Sequence, residues 1–128
     1  MSRQRGFSLV ELLFALLVLT IVITTTLAVF VERTRRLRQA SETILAYQIL
    51  ANEAELQRRV PFAAIIPSAT FNTDMTLLAP MQPYTTSIDV VSTQGGVKNV
   101  TMTIRWNGGQ REARLGIVRV DTGGGNLW

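Results

Sequence analysis

Cysteine and histidine are both missing from this 128-residue chain. Without cysteine there is no disulfide, no zinc-thiolate site and no thiol nucleophile, and the usual indicator of redox compartment is gone. Without histidine, Ser-His triads, imidazole bases and most zinc hydrolase sites cannot be assembled. The nine acids (Glu11, Glu32, Glu42, Glu53, Glu55, Asp74, Asp89, Glu112 and Asp121) show no paired spacing, and no glycine-rich phosphate loop precedes a helix. The residues therefore point to a protein that is not an enzyme, with no catalytic residue, no cofactor site and no metal site. Charge is scarce too, at 17% against 47% hydrophobic residues. That balance suggests that some apolar residues face lipid rather than a core.

What is present is concentrated at the start. A chain of this length has room for one domain. Residues 12–31 are 31 − 12 + 1 = 20 positions without a charge, and as a helix they span about 30 Å, the thickness of a bilayer's hydrocarbon. The remaining 128 − 20 = 108 residues allow a modest core that gains from a long helix or from neighbours to pack on. An ordinary secretory signal has a shorter apolar core, about 7–15 residues, closed by a small-residue cleavage site. Only Thr26-Leu27-Ala28 resembles one, and poorly. Glu11 breaks the pattern. An acid at the centre of a membrane helix costs about 2.5–3.5 kcal/mol on translocon scales and usually marks function. Near the helix start it also has the plainer option of reaching the headgroups, and on this residue alone both readings stay open.

The polar leader Met1-Ser2-Arg3-Gln4-Arg5-Gly6 runs straight into Phe7-Ser8-Leu9-Val10-Glu11 and the apolar helix. This arrangement resembles the class III signal of type IV prepilins and type II secretion pseudopilins. Glycine, aromatic, small hydroxyl residue and glutamate all fall at the family's offsets. The resemblance implies that a prepilin peptidase cuts after Gly6 on the cytoplasmic side and methylates the new amino terminus at Phe7. It implies that Glu11 faces the amino terminus of a neighbouring subunit during assembly. It also implies a leader over 1–6, a transmembrane and assembly helix over 7–31 and a periplasmic pilin-like domain over 32–128. The implied partners are other pilins or pseudopilins, the peptidase, the inner-membrane assembly platform and membrane lipid. On this view the subunit is stored in the bacterial inner membrane before entering a pilus or pseudopilus.

Physics supplies a reason for the arrangement. Cleavage leaves an ammonium at Phe7, and a carboxylate four residues on cannot easily bend back to its own helix start. A neighbour displaced along the filament can offer its ammonium instead, turning two costly charges in lipid into one pair, so that Glu11 gauges register. The charge count points the other way on topology: Arg3 and Arg5 precede the span, whereas Arg33, Arg35, Arg36 and Arg38 follow it, which by the positive-inside rule puts the C-terminus in the cytoplasm. The resemblance implies the opposite, because the processing signal is useful only if the leader stays cytoplasmic.

Residues 32–60 hold no glycine or proline and continue the helix up to Pro61, giving one helix over 7–59 of about 80 Å if unbroken. Leu37, Ala40, Ile44, Tyr47, Ala51 and Ala54 form one stripe, and Leu45, Ile49, Leu56 and Val60 another. The bulky stripe suits a sheet of the same chain and the alanine-rich stripe a second helix; the alternative is one broad core face. The helix end also resembles that of small minor pilins and pseudopilins. All four prolines fall in 61–83, a connecting loop with at most one short element. From Tyr84 the period is two. Residues 84–93, 99–106 and 110–121 read as strands of a three-stranded antiparallel meander in an α+β fold, joined by turns at Gln94-Gly95-Gly96-Val97-Lys98 and Asn107-Gly108-Gly109. Val100, Met102, Ile104 and Trp106 share the face that should cover the helix. Val118 and Val120 are out of phase with Ala113 and Leu115, which suggests a β-bulge near Gly116 and Ile117. Residues 122–128 form a tail, flexible or pinned by Trp128.

Lys98, Arg105, Arg111, Arg114 and Arg119 outnumber Asp89, Glu112 and Asp121 by two, which reads as a solvated sheet face. No dense basic stripe with interleaved aromatics points to nucleic acid. Loss of the leader reduces the net charge of +4 to 11 − 9 = +2. Asp121 and Asn126 are too few for a calcium loop. The expectation is a minor pilin or minor pseudopilin, favoured by the small sheet and by the lack of the cysteine pair that closes many major pilins. A competence pseudopilin contributing to DNA uptake and a generic single-pass anchor are the alternatives. Retention of Glu11 argues against the tip subunit that lacks it.

Overall fold

The computed structural model describes residues 6–123. Helix α1 (Leu9–Arg59) is followed by two 3₁₀ turns, Phe62–Ala64 and Thr76–Met81, and by strands β1 (Tyr84–Thr93), β2 (Val97–Trp106) and β3 (Arg111–Val120). The sheet is an antiparallel meander in the order β1-β2-β3. The fold is thus α+β and pilin-like: a long N-terminal helix with an apolar first part, then three strands. The chain divides between Gln39 and Ala40 into two compact units.

In the first unit every described side chain is exposed. A helix at the surface of a soluble domain normally buries one apolar stripe. Here the apolar residues point in all directions, and α1 contains a segment long and apolar enough to cross a membrane, with 0% of it buried. The threonines within it are provided for locally. Thr20 donates its hydroxyl to the Leu16 carbonyl at 2.8 Å, Thr24 to Thr20 at 2.9 Å, Thr25 to Ile21 at 2.9 Å and Thr26 to Val22 at 2.7 Å. Each hydroxyl is satisfied without water, as an apolar solvent demands.

In the second unit α1 ends at Arg59, where Pro61 denies the preceding residue helical geometry. The last carbonyls are met from the sheet. Arg119 of β3 donates through Nη1 to the Gln57 carbonyl at 2.9 Å and to that of Arg58, and through Nη2 to that of Val60 at 3.0 Å. Its register partner Lys98 donates to the carbonyls of Phe62 at 2.8 Å and Ile65 at 3.2 Å.

The core joins Ile49 and Leu50 of α1 to Ile88, Val100, Met102, Ile104, Trp106, Ala113 and Ile117 of the sheet, and to Ile65, Leu78 and Met81 of the connecting segment. The expected face of β2 is fully buried, while Arg105 on the other side is exposed. The helix stripes differ from the expectation. Ile49 is buried and Leu45, Leu56 and Val60 half-buried, but Ala46, Leu50, Ala54, Glu53 and Gln57 are buried with them. Two polar residues lie within the buried face, and a stripe drawn through apolar residues alone passes beside its centre. Leu37, Ala40, Ile44, Tyr47 and Ala51 are exposed.

Two further expectations are corrected. The β2–β3 register runs without interruption from Val97↔Val120 to Trp106↔Arg111, so no bulge occurs near Gly116. Ala113, Leu115 and Ile117 keep a strict alternation, and Val118 and Val120 are simply apolar residues on the outer face, 64% and 55% exposed. The 61–83 segment holds two short 3₁₀ turns rather than at most one element, and it also pairs with the sheet, Ser68 bridging Ile88. The β2–β3 turn needs left-handed backbone at Asn107, Gly108 and Gly109, with φ of 54°, 64° and 83°, which asparagine and glycine tolerate best. Trp128 lies outside the described residues.

One buried charge holds the connecting segment. Glu53, 0% exposed, accepts the amide of Gln57 at 2.8 Å on Oε1 and the backbone N–H groups of Asn72 and Thr73 at 2.9 and 3.0 Å on Oε2. Replacing Glu53 by Ala strands two backbone donors, an error of about 3 kcal/mol or more. Urea unfolding of the full chain in detergent, followed by tryptophan fluorescence, should show that loss. Glu55→Ala, which removes only an exposed pair with Arg58, should cost less than about 0.5 kcal/mol.

Candidate processing and assembly site

Gly6, Phe7 and Ser8 precede the helix, and α1 begins at Leu9. The start is fixed by Ser8, whose hydroxyl accepts the Glu11 backbone N–H at 3.3 Å while its carbonyl accepts the Leu12 N–H at 3.2 Å. Ser8 is therefore the N-cap and Glu11 the third helical residue. The helix thus starts two residues later than the expected Phe7, and Ser8 caps it besides standing at the small-hydroxyl position of the signal. The Ser-x-x-Glu spacing, the first half of a capping box, was the signal that could have placed it.

The three candidate residues occupy one short stretch. Phe7 is 84% exposed. A side chain added at Gly6 would meet no atom within 4 Å, so nothing in the described chain requires glycine there. Glu11 is exposed in the first helical turn, where a negative charge interacts favourably with the helix dipole. Its carboxylate makes no hydrogen bond or ion pair among the described residues. The backbone of Glu11 thus serves its own helix, while its side chain pairs with no group among the described residues.

The model of the prokaryotic N-terminal methylation motif matches residues 1–27. Over those residues the chain carries a prepilin-type class III signal, which supports a type IV pilin-like protein. No curated protein and no solved structure matches it significantly. The motif indicates a pilin- or pseudopilin-type substrate of prepilin peptidase, and with the apolar start of α1 it suggests membrane anchoring.

The cations of this pilin-like sheet are mostly engaged by the chain itself. Lys98 and Arg119 donate to the carbonyls already described. Arg111 donates to Glu42 at 3.1 Å and to the Thr43 hydroxyl at 3.0 Å, and lies 5.2 Å from the Trp106 ring centroid, while Trp106 Nε1 donates to the same Glu42 oxygen. These three cations lie on the helix-facing side of the sheet, so the solvated-face reading fails for them. On the outer face Arg105 and Arg114 grip the two oxygens of Glu112 at 3.0 and 2.8 Å. Asp121 accepts the Gly123 N–H at 2.9 Å; its suggested calcium partner Asn126 lies outside the described residues. Among the described residues no group of three or more metal-ligating side chains is assembled.

The hydrogen bonds from Arg105, then Arg114, hold the Glu112 carboxyl below its ordinary range. A depressed folded-state value means stability present above the unfolded value and lost as pH falls through the folded one. An NMR titration should find Glu112 ionising below a free glutamate. The double change Arg105→Gln with Arg114→Gln should return it upward; an unmoved titration would mean the pairs do not persist in solution.

Proposed function

We propose that this chain is a minor pilin or minor pseudopilin, without enzymatic activity, whose precursor is cut after Gly6, methylated at Phe7 and assembled through Glu11 into a pilus or type II secretion pseudopilus. The observation that carries the reading is a carboxylate with no partner in its own described chain, four residues beyond the cleavage position, on a helix whose apolar side chains are exposed all round. Such a helix is suited first to lipid and then to neighbouring helices. The proposed topology keeps the leader cytoplasmic and the sheet periplasmic, against the arginine count. The three-stranded sheet, small for a shaft-forming surface, supports a minor subunit.

Processing is tested by mass spectrometry of the protein from a host with prepilin peptidase, where the expected terminus is N-methylated Phe7. An intact Met1, or cleavage after Ala28, would contradict it. A Gly6→Val precursor should accumulate uncut in the membrane. Since a Cβ at Gly6 would meet no atom of the described residues, the block is expected to arise in the peptidase's approach to the backbone.

Assembly is tested separately at Glu11. Glu11→Leu removes a charge whose desolvation opposes insertion, so the variant should insert at least as well and still be cut. The Ser8 cap uses the backbone N–H of residue 11, which leucine retains, so the helix start is preserved. Incorporation into filaments, or cross-linking to neighbours, should be lost, because the partner's ammonium would sit unpaired in an apolar site at a cost of several kcal/mol. Glu11→Gln should fall between. Normal assembly of Glu11→Leu in the native host would leave Glu11 an interfacial residue only.

A further inference from the structure

The end of the apolar run carries a second feature that the assembly role does not use. Arg33, Arg35, Arg36 and Arg38 follow the span within six positions, with Glu32 as the only acid among them. All four arginines are exposed. Glu32 pairs with Arg36 at 2.9 Å, and Arg38 has a partner of its own. Arg33 and Arg35 make no ion pair or hydrogen bond among the described residues. The segment 32–38 keeps 4 − 1 = 3 positive charges.

Their placement distinguishes between kinds of partner. At about 100° per residue the four side chains leave the helix at azimuths of about 0°, 200°, 300° and 140°. They surround the axis, whereas a single protein partner meets one stripe roughly 100° wide. Along the axis they occupy about 7.5 Å. The headgroup layer of one leaflet is about 5–8 Å thick, the difference between whole bilayer and hydrocarbon core divided over two faces. A charged ring of that height directly beyond about 30 Å of apolar helix matches a layer, not a groove. Two shallow hollows repeat the same chemistry on a smaller scale. One is lined by Ala28, Val29, Glu32, Arg33 and Arg36, the other by Phe30, Val31, Thr34, Arg35 and Arg38. The second has an apolar floor toward the span and two guanidiniums at the far rim, which suits an acyl chain below a phosphate; the first also holds the Glu32 carboxylate paired with Arg36, leaving Arg33 as its unpaired guanidinium among the described residues.

We propose that Arg33, Arg35, Arg36 and Arg38 form a girdle that binds the phosphates of anionic lipid headgroups at the C-terminal boundary of the span. The proposal rests on the membrane-anchored reading of α1 but on neither topology, since a girdle serves whichever leaflet it meets. Guanidiniums bind phosphate oxygens bidentately. Their aliphatic stems lie along apolar surface while the heads reach the interface.

The test uses the full chain reconstituted in phosphatidylcholine vesicles with trace spin-labelled phosphatidylglycerol or spin-labelled phosphatidylcholine. The expected result is an enrichment of phosphatidylglycerol beside the protein of roughly threefold or more, weakening as salt rises. Arg33→Gln with Arg35→Gln should lower the enrichment, and changing all four arginines to Gln should abolish it. Arg105→Gln with Arg114→Gln, which alters exposed arginines of the second unit, should leave it unchanged. Inorganic phosphate should weaken it no more than chloride at equal ionic strength; a specific phosphate effect would overturn the lipid assignment in favour of a free-anion site. No enrichment in the wild type, or enrichment that survives all four changes, overturns the proposal. Resistance of the wild type to alkaline carbonate extraction reads out the membrane anchor independently. Extraction of the wild type would remove the anchor itself, whereas resistance without enrichment would remove only the girdle.

Discussion

The second unit is organised around a carboxylate that water does not reach. Glu53 lies on the buried face of α1 and collects one side-chain amide and two backbone N–H groups, and those backbone groups belong to the proline-rich segment that covers part of the core. A segment with so little regular structure has few hydrogen bonds of its own to hold it. Two backbone donors aimed at one charged acceptor give it a fixed point, and Ile65, Leu78 and Met81 then pack beneath it. Such an acceptor is costly to bury and more costly to leave unpaired, so the packing of the segment and the burial of Glu53 depend on each other.

The same economy governs the cations. Ending a helix leaves carbonyls without partners, and the run into Pro61 allows no glycine cap of the usual kind. Arg119 reaches across from β3 to supply donors for two of them, those of Gln57 and Arg58, and for the Val60 carbonyl just beyond, and Lys98 beside it does so for the carbonyls of Phe62 and Ile65. Positive charge at a helix C-terminus is favourable in itself. Charges that composition counts as an excess on a sheet face are in this way committed to the joint between helix and sheet. Arg105 and Arg114, on the opposite face, are occupied by Glu112.

How much of this was legible in the sequence follows from which signals are local. Period two in 84–121 and the Asn107-Gly108-Gly109 turn located the sheet, β1 to the residue, and the core face of β2, because alternation and turn chemistry are properties of neighbouring residues. Phase in β3 is hidden because Val118 and Val120 are apolar and exposed; their identity argues for burial, while the unbroken register keeps them outside. The helix face is hidden for the converse reason, since Glu53 and Gln57 are polar and buried. Neither could be read without the tertiary partners Asn72, Thr73 and the sheet. At the N-terminus Gly6, Phe7 and Glu11 stand out by spacing, and the Ser-x-x-Glu pattern carries the cap at Ser8 within the same signal.

The two glutamates of α1 that matter most are treated in opposite ways by the same chain. Glu53 receives three donors and is sealed from water. Glu11 receives none among the described residues, because the helix start nearest to it is already closed by the Ser8 hydroxyl and needs nothing from the carboxylate. Satisfying Glu11 from within would have taken little: a capping box needs only a return bond to the Ser8 N–H. Leaving it open is tolerable in water, where the charge is solvated, and costly beside 20 uncharged residues that suit lipid. On the proposed reading that cost is what makes the residue informative to a neighbour, since an ammonium brought to the right height relieves it and one brought a turn too high or too low does not. A helix apolar on every side would otherwise slide against its neighbours with little preference for register. One unsatisfied charge near its end is enough to choose one.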